Sequence, residues 1–338
     1  QRRTTSGVKR LVSAGLARIN QGMEPFFRRQ RKIPQEHPAF AGLPVTHIHL
    51  GDARTRAAVN LRGDFRSGRM PLICLAGYHR NMSDFSAFAA HFQRLGSGDW
   101  PMVLVDLPGR GRADDRPRNT RYSTLLDADD LADLIAALGI KRAVLLGQGH
   151  GGQVVMAMAA KHPLLVGGTI LLDSGPVTDS RGIVRLRNNL AHVEGLRGAR
   201  AVTNGFRRML GGDYPGHSEA ELDALAQRSH WFDKRGRARP LYDTRLLDQI
   251  KDISFDDVLV AQWPLYDALK CAPLMLLRTQ LTDQLRRETY DEMVSRRADA
   301  VALTIAGQGS PALFDQQAEI EAVAEFVFQV GVTKRRAA

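Results

Sequence analysis

Several things are scarce in this chain of 338 residues. It has two cysteines, Cys74 and Cys271, far apart and inside apolar segments. That excludes a disulfide framework and a zinc pattern, and both read as reduced core thiols. No run approaches the roughly 18–20 apolar residues that span a bilayer. No glycine loop is followed by the Gly-Lys-Ser/Thr of a P-loop. Histidine runs out early: the ten stand at 37, 47, 49, 79, 91, 150, 162, 192, 217 and 230, so the last 108 residues hold no imidazole.

Charge is also lacking where the mass lies. The net charge of +11 comes from the ends: residues 1–32 carry nine Lys/Arg against Glu24 alone, and Lys334-Arg335-Arg336 closes the chain. Between them 35 basic residues balance 35 acidic ones. A uniformly basic, nucleic-acid-binding body is therefore not expected, and no nucleic-acid partner is assigned.

What is present is 43% hydrophobic residues, enough for a full core. Val8, Val12, Leu16, Ile19, Met23 and Phe26 recur at helical spacing among Lys9, Arg10 and Arg18. This predicts a basic amphipathic helix with three competing roles: packing on its own domain, docking a protein partner or an anionic membrane surface, or targeting. Arg18 interrupts the apolar core a secretory signal needs. The expected location is cytoplasmic, with peripheral membrane association as the variant. Gln1 is not an initiator residue, which leaves the native start open.

Pro34, Pro38 and Pro44 mark a linker over 33–44. Apolar runs with β character follow at 45–50, 56–61, 72–75, 101–107, 143–146, 168–172, 273–277 and 301–305. His47 and His49 lie two apart on the first run, lack a third ligand nearby, and read as partly exposed strand histidines; no metal is assigned. Helical spacing appears at 125–138, 153–161 and 316–330, and Ser83 or Asp84 is placed to cap a helix after the third strand. From 177 to 268 strand-like runs vanish, and helix-compatible stretches at 181–196, 199–210, 218–231, 241–250 and 255–269 predict a helical insertion. Strands alternating with helices imply βαβ units and a mainly parallel sheet covered on both faces.

Four stretches give this pattern a family likeness. Leu75-Ala76-Gly77-Tyr78-His79-Arg80-Asn81-Met82-Ser83-Asp84-Phe85 resembles an oxyanion loop, and Asp106-Leu107-Pro108-Gly109-Arg110-Gly111 a D-x-x-G-x-G loop. Gly147-Gln148-Gly149-His150-Gly151 has the frame of a nucleophile elbow, G-x-S-x-G, between a strand and a helix. Residues 263–269, then 273–278 with Thr282-Asp283, resemble the stretch that delivers a catalytic acid. In this order the chain resembles the α/β-hydrolase fold superfamily from about residue 45 to 330. The implied architecture is a mainly parallel central sheet with helices on both faces and a helical cap. It is divided into an N-terminal helix and linker (1–44), a core (45–176 and 269–331), the cap (177–268) and a basic tail (332–338).

The resemblance implies a serine nucleophile, an acid and a histidine, in that chain order. Gly149 stands at the nucleophile position and Ser310 at the histidine position; Asp283 occupies the acid position and doubles as a candidate cap for a helix over 284–293. The implied oxyanion site, the backbone N–H groups of Tyr78 and His150 beside Gly77, needs no particular side chain. The expectation is thus a protein with a degenerate triad and no cofactor, binding a small molecule under the cap or a partner protein. Two alternatives stay open. One is hydrolase or lyase chemistry through Asp283 with His79 or His150, with Ser310 or the insertion histidines 192, 217 and 230 as further candidates. The other is a structural subunit of a membrane-associated assembly.

Overall fold

A computed structural model describes residues 31, 33–34, 36–51 and 55–331. The expected basic helix and tail lie outside the described residues, apart from Arg31 and the linker that follows. Eight strands form the central sheet: β1 Thr46–His49, β2 Arg56–Arg62, β3 Leu72–Leu75, β4 Met102–Asp106, β5 Ala143–Gln148, β6 Val166–Leu172, β9 Leu274–Thr279 and β10 Val301–Ile305. Their order is β1-β2-β4-β3-β5-β6-β9-β10. β1 and β2 pair antiparallel with their neighbours, and every pairing from β4 to β10 is parallel.

The strands read as unbroken apolar runs because both faces are covered. On β3, Ile73 and Leu75 pack with one cluster while Leu72 and Cys74 pack with the other. The first cluster takes Leu131, Leu134 and Ile135 from α2 (Thr124–Ala137) and Val154, Val155 and Met158 from α3 (His150–Lys161). The second takes Phe88 and Phe92 from α1 (Ser86–Leu95) and Ile320, Val323 and Val327 from the C-terminal helix, Gln317–Gly331. Truncating one of these buried phenylalanines to alanine should cost about 3–5 kcal/mol.

Residues 177–268 are less uniformly helical than their spacing predicts. Helices α4 (Ser180–Gly195), α5 (Ala199–Gly211) and α6 (Glu219–Gln227) follow expectation, the last with a Ser218/Glu221 capping box. Past Gln227 the expected helix gives way to a ribbon of β7 (His230–Phe232) and β8 (Ala238–Pro240). Its turn is set by Gly236 at φ +66° and by the Asp233 carboxylate, which accepts from the Arg235 and Arg237 backbone N–H groups. The expected helix over 241–250 is a 3-10 turn, Thr244–Gln249, and that over 255–269 shrinks to α7 (Trp263–Asp267) and a 3-10 turn, Ala268–Cys271. Pro264 in the first turn of α7 fixes where it starts. Val202, Phe206, Leu210 and Leu225 from α5 and α6 form a separate apolar cluster.

Two smaller expectations are corrected. Cys271 is exposed at the end of its 3-10 turn, whereas Cys74 is buried. Neither Ser83 nor Asp84 caps α1: the Asn81 side chain accepts from the Ser83 N–H and starts a 3-10 turn, Met82–Phe85, that runs into α1. No helix among the described residues is long and apolar enough to cross a membrane.

Candidate active site

The turn between β5 and α3 retains the geometry of an elbow. Gly149 has φ +51° and ψ −117°, a conformation that favours glycine. Its neighbours are glycines for reasons of space. A Cβ on Gly147 would lie 2.4 Å from the Gly151 carbonyl oxygen, and one on Gly151 would lie 2.4 Å from the Leu75 oxygen. A Cβ on Gly149 itself would meet a side chain: the Gln284 Oε1 is 2.7 Å from that point. The carboxamide of Gln284 therefore stands over the elbow, where a nucleophile would project.

Tyr78 and His150 both line the same space. Neither the Tyr78 nor the His150 N–H donates a hydrogen bond among the described residues. His150 is the first residue of α3, whose N-terminal partial charge favours a carbonyl oxygen there. One buried network ties the two donor residues together. Arg110 donates to the Tyr78 carbonyl (2.9 Å) and to Asp127 (2.8 Å), and Asp127 bonds the His150 Nε2 (3.1 Å). Arg116 adds a third bond to Asp127 and pairs with Asp130. Burial alone would raise the Asp127 carboxyl, but Arg110, His150 and Arg116 hold it well below the usual range. The loop carrying Tyr78 is further pinned by the buried Arg80–Asp84 pair and by Asp106, which accepts from the Met82 and Arg112 N–H groups.

The candidate histidines are placed unfavourably for proton transfer. His150 lies edge-on to the Tyr78 ring, 4.9 Å between centroids, with Nε2 committed to Asp127. His79 is buried against Tyr242, and its Nδ1 has no partner. Burial lowers the pKa of both, that of His79 strongly, with Arg80 adding to the effect on His79. His192, His217 and His230 do not line the cavity over Gly149.

The acidic side departs from expectation in its partners. Asp283 ion-pairs with Arg185 of α4, which also holds Asp213. It does not cap a helix: α8 spans Arg287–Arg296, and its N-cap residue is Arg286. A second carboxylate, Asp173 just after β6 with φ +48°, lines the same cavity as Ser310. Asp173 also accepts from the Thr279 N–H and hydroxyl, each at 2.7 Å. Burial pushes its pKa up to about 6 against the lowering effect of the Thr279 and Ser310 bonds. Sequence reasoning passed over Asp173 and Gln284. Asp173 had a signal, an acid closing an apolar strand before Ser174-Gly175; Gln284 had none.

These groups line a cavity of about 330 Å³. Its other wall is apolar and comes from the segment after β6, with Val177, Ile183, Leu186, Leu190, Met209 and Ile250. The arrangement can hold a carbonyl oxygen on two N–H donors, but Gly149 offers no atom to attack the carbon. No group of three or more potential metal ligands occurs among the described residues.

The alpha/beta hydrolase family model matches residues 72–325, a span that includes the elbow, both donors and Ser310. The chain belongs to this family. Among curated relatives, it is 24% identical to the 3-hydroxybutyrate-oligomer hydrolase of Cupriavidus necator over 80% of this chain and 92% of that one. It is 31% identical to a serine hydrolase-like protein of Danio rerio over 31% of each chain. It therefore spans under a third of that relative. Among solved structures, an alpha/beta hydrolase from Novosphingobium aromaticivorans matches with a TM-score of 0.73 and 26% identity, over 85% of this chain and 98% of that one. The E-2-(acetamidomethylene)succinate hydrolase structure, at 21% identity and a TM-score of 0.68, shares the fold, covering 85% of this chain and 99% of that one.

Proposed function

We propose that this alpha/beta hydrolase family member does not act as a serine hydrolase, and binds a small molecule in the cavity over Gly149, with residues 177–268 as its cap. One observation carries the reading: the elbow presents Gly149, and the space a nucleophile would fill holds the Gln284 amide. Acyl transfer needs a nucleophile, a base within reach and an oxyanion site. Only the third has support here. Loss of a triad serine costs on the order of 10⁶-fold in turnover, and roughly 10³-fold over water can persist from the oxyanion site and binding.

The test is an esterase screen with short p-nitrophenyl esters on the full chain. The expected result is no turnover beyond that residual level. Turnover that survives purification, and is abolished by Gln284→Ala or His79→Ala, would overturn the proposal. The alternative of hydrolase or lyase chemistry through Asp283 with His79 or His150 has less support, because Asp283 is held by Arg185 and His150 by Asp127. Contact of residues 1–32 with a partner protein or an anionic membrane is a separate proposal, supported by charge and periodicity; deleting them should release the protein from a membrane fraction, and unchanged fractionation would count against it.

A further inference from the structure

The central sheet has two edges, and they are built differently. β1 closes one edge and is polar at Thr46, His47 and His49. β10 closes the other with Val301, Ala302, Leu303, Thr304 and Ile305, a strand without charge or proline. Its register on β9 runs without a bulge. Charge, proline and bulges are the usual devices that keep an edge from pairing with another chain. The strand is also accessible: Val301 is 48% exposed, Ala302 and Thr304 are exposed, and Leu303 is half-buried.

The pairing with β9 fixes which backbone groups face outward. In a parallel pair, alternate residues direct their N–H and C=O groups to opposite sides of the strand. The Ile305 carbonyl accepts from the Gln280 N–H at 2.8 Å. The Leu303 carbonyl accepts from the Tyr290 hydroxyl of α8, as does that of Leu276 on β9. Val301, Leu303 and Ile305 therefore turn their backbone groups toward β9, and Ala302 and Thr304 turn theirs away from the sheet. Among the described residues, no hydrogen bond reaches the backbone groups of Ala302 or Thr304.

Two outward residues separated by one inward residue form a self-complementary unit. Half a turn about an axis through Leu303 brings Ala302 opposite Thr304 of a second copy. Each such pair exchanges two N–H···O=C bonds, which satisfies every free group on both strands. The register two residues away places Ala300 opposite Thr304 instead, and the Ala300 N–H is already given to the Arg297 carbonyl. In the favoured register Leu303 faces its own counterpart, and the exposed Val301 lies beside it. The helix over this strand, α8, holds its charges in internal pairs, Arg287 with Asp291 and Arg296 with Glu292, so two copies meet without a block of like charge. An edge with no charge of its own offers nothing to select a charged peptide, whereas its two-fold register selects itself.

We propose that β10 is a self-association edge, at which two copies of this chain pair antiparallel about Leu303 and join their eight-stranded sheets into one. The interface rests on the fold and is independent of what the cavity binds.

The experiment is sedimentation velocity of the full chain over about 1 to 100 μM, the range in which a small interface of this kind should show a monomer–dimer equilibrium. Ala302→Pro removes one outward N–H from each copy and should weaken the dimer about ten- to a hundred-fold, the worth of two hydrogen bonds. Val301→Lys should weaken it about ten-fold by placing a charge in the contact, and carries the test should the proline variant fail to fold. Leu303→Cys in a Cys271→Ser background should give a disulfide-linked dimer on mild oxidation, because facing Cα atoms of a non-hydrogen-bonded pair lie about 4.5 Å apart. A monomer throughout the range overturns the proposal, including one whose Ala302 and Thr304 amides resist hydrogen exchange because another segment of the chain covers them. A dimer indifferent to both edge variants, or one that yields no Leu303→Cys cross-link, overturns it too.

Discussion

The two halves of the space around Gly149 differ in what holds them. On the donor side, Tyr78 and His150 are fixed by Arg110 and Asp127, a fully buried and mutually satisfied pair. The glycines of the elbow there are required by contacts of 2.4 Å to backbone atoms. On the acid–base side, Asp173 accepts from Thr279 and the half-exposed Asp283 bonds Arg185, while Gln284 leans over the elbow. The side on which the proposed binding relies is thus held by the core, and the side that would serve proton transfer is held by pairs nearer the surface.

The sharpest way to break that contrast is Asp127→Ala. It leaves Arg110 and Arg116 buried without their shared carboxylate, and should cost about 3–5 kcal/mol in urea unfolding. A loss under about 1 kcal/mol would mean that the donor side is not held as described.

Asp173→Asn tests the other side through pH. The folded pKa of Asp173 is raised to about 6 against an unfolded value near 3.8, so the folded state binds the proton more tightly. Its contribution to stability is full below pH 4 and is lost as pH rises to 6, amounting to roughly 3 kcal/mol. The variant should flatten the stability profile relative to wild type across that window. Parallel profiles would remove Asp173 from its buried position beside Ser310.

Gly149→Ala probes the elbow itself. The φ of +51° and the approach to Gln284 should make it destabilising by about 1–3 kcal/mol, partly recovered when Gln284 is also shortened. The smallest effect is expected for Asp283→Asn. That carboxylate is 32% exposed beside a 43% exposed Arg185, so its loss should shift stability by less than about 1 kcal/mol. An Asp283 effect larger than that of Asp173 would contradict the relative burial of the two acids.

These differences follow what sequence can express. The strands were legible because both sheet faces are buried, which makes stretches such as Leu72–Leu75 apolar at every position. The elbow and the donor loop were legible because close backbone approaches demand glycine at 147 and 151. The absence of serine at 149 and histidine at 310 needed no structure at all. What was not legible is tertiary. Nothing near Gln284 in sequence says that its side chain crosses to Gly149, and the choice between Asp173 and Asp283 depends on how the ends of β6 and β9 meet. The ribbon of His230–Phe232 and Ala238–Pro240 was missed because three-residue strands carry no periodicity; its Asp233…Gly236 turn was the available signal.

The most direct measurement is the steady-state hydrolysis of p-nitrophenyl butyrate by the wild-type chain beside its Gly149→Ser/Ser310→His variant. The account predicts no wild-type turnover above roughly 10³-fold over water, and a gain in the variant that depends on Asp173 rather than Asp283. Wild-type turnover on the order of 1–10³ s⁻¹, the range of working enzymes, would contradict it.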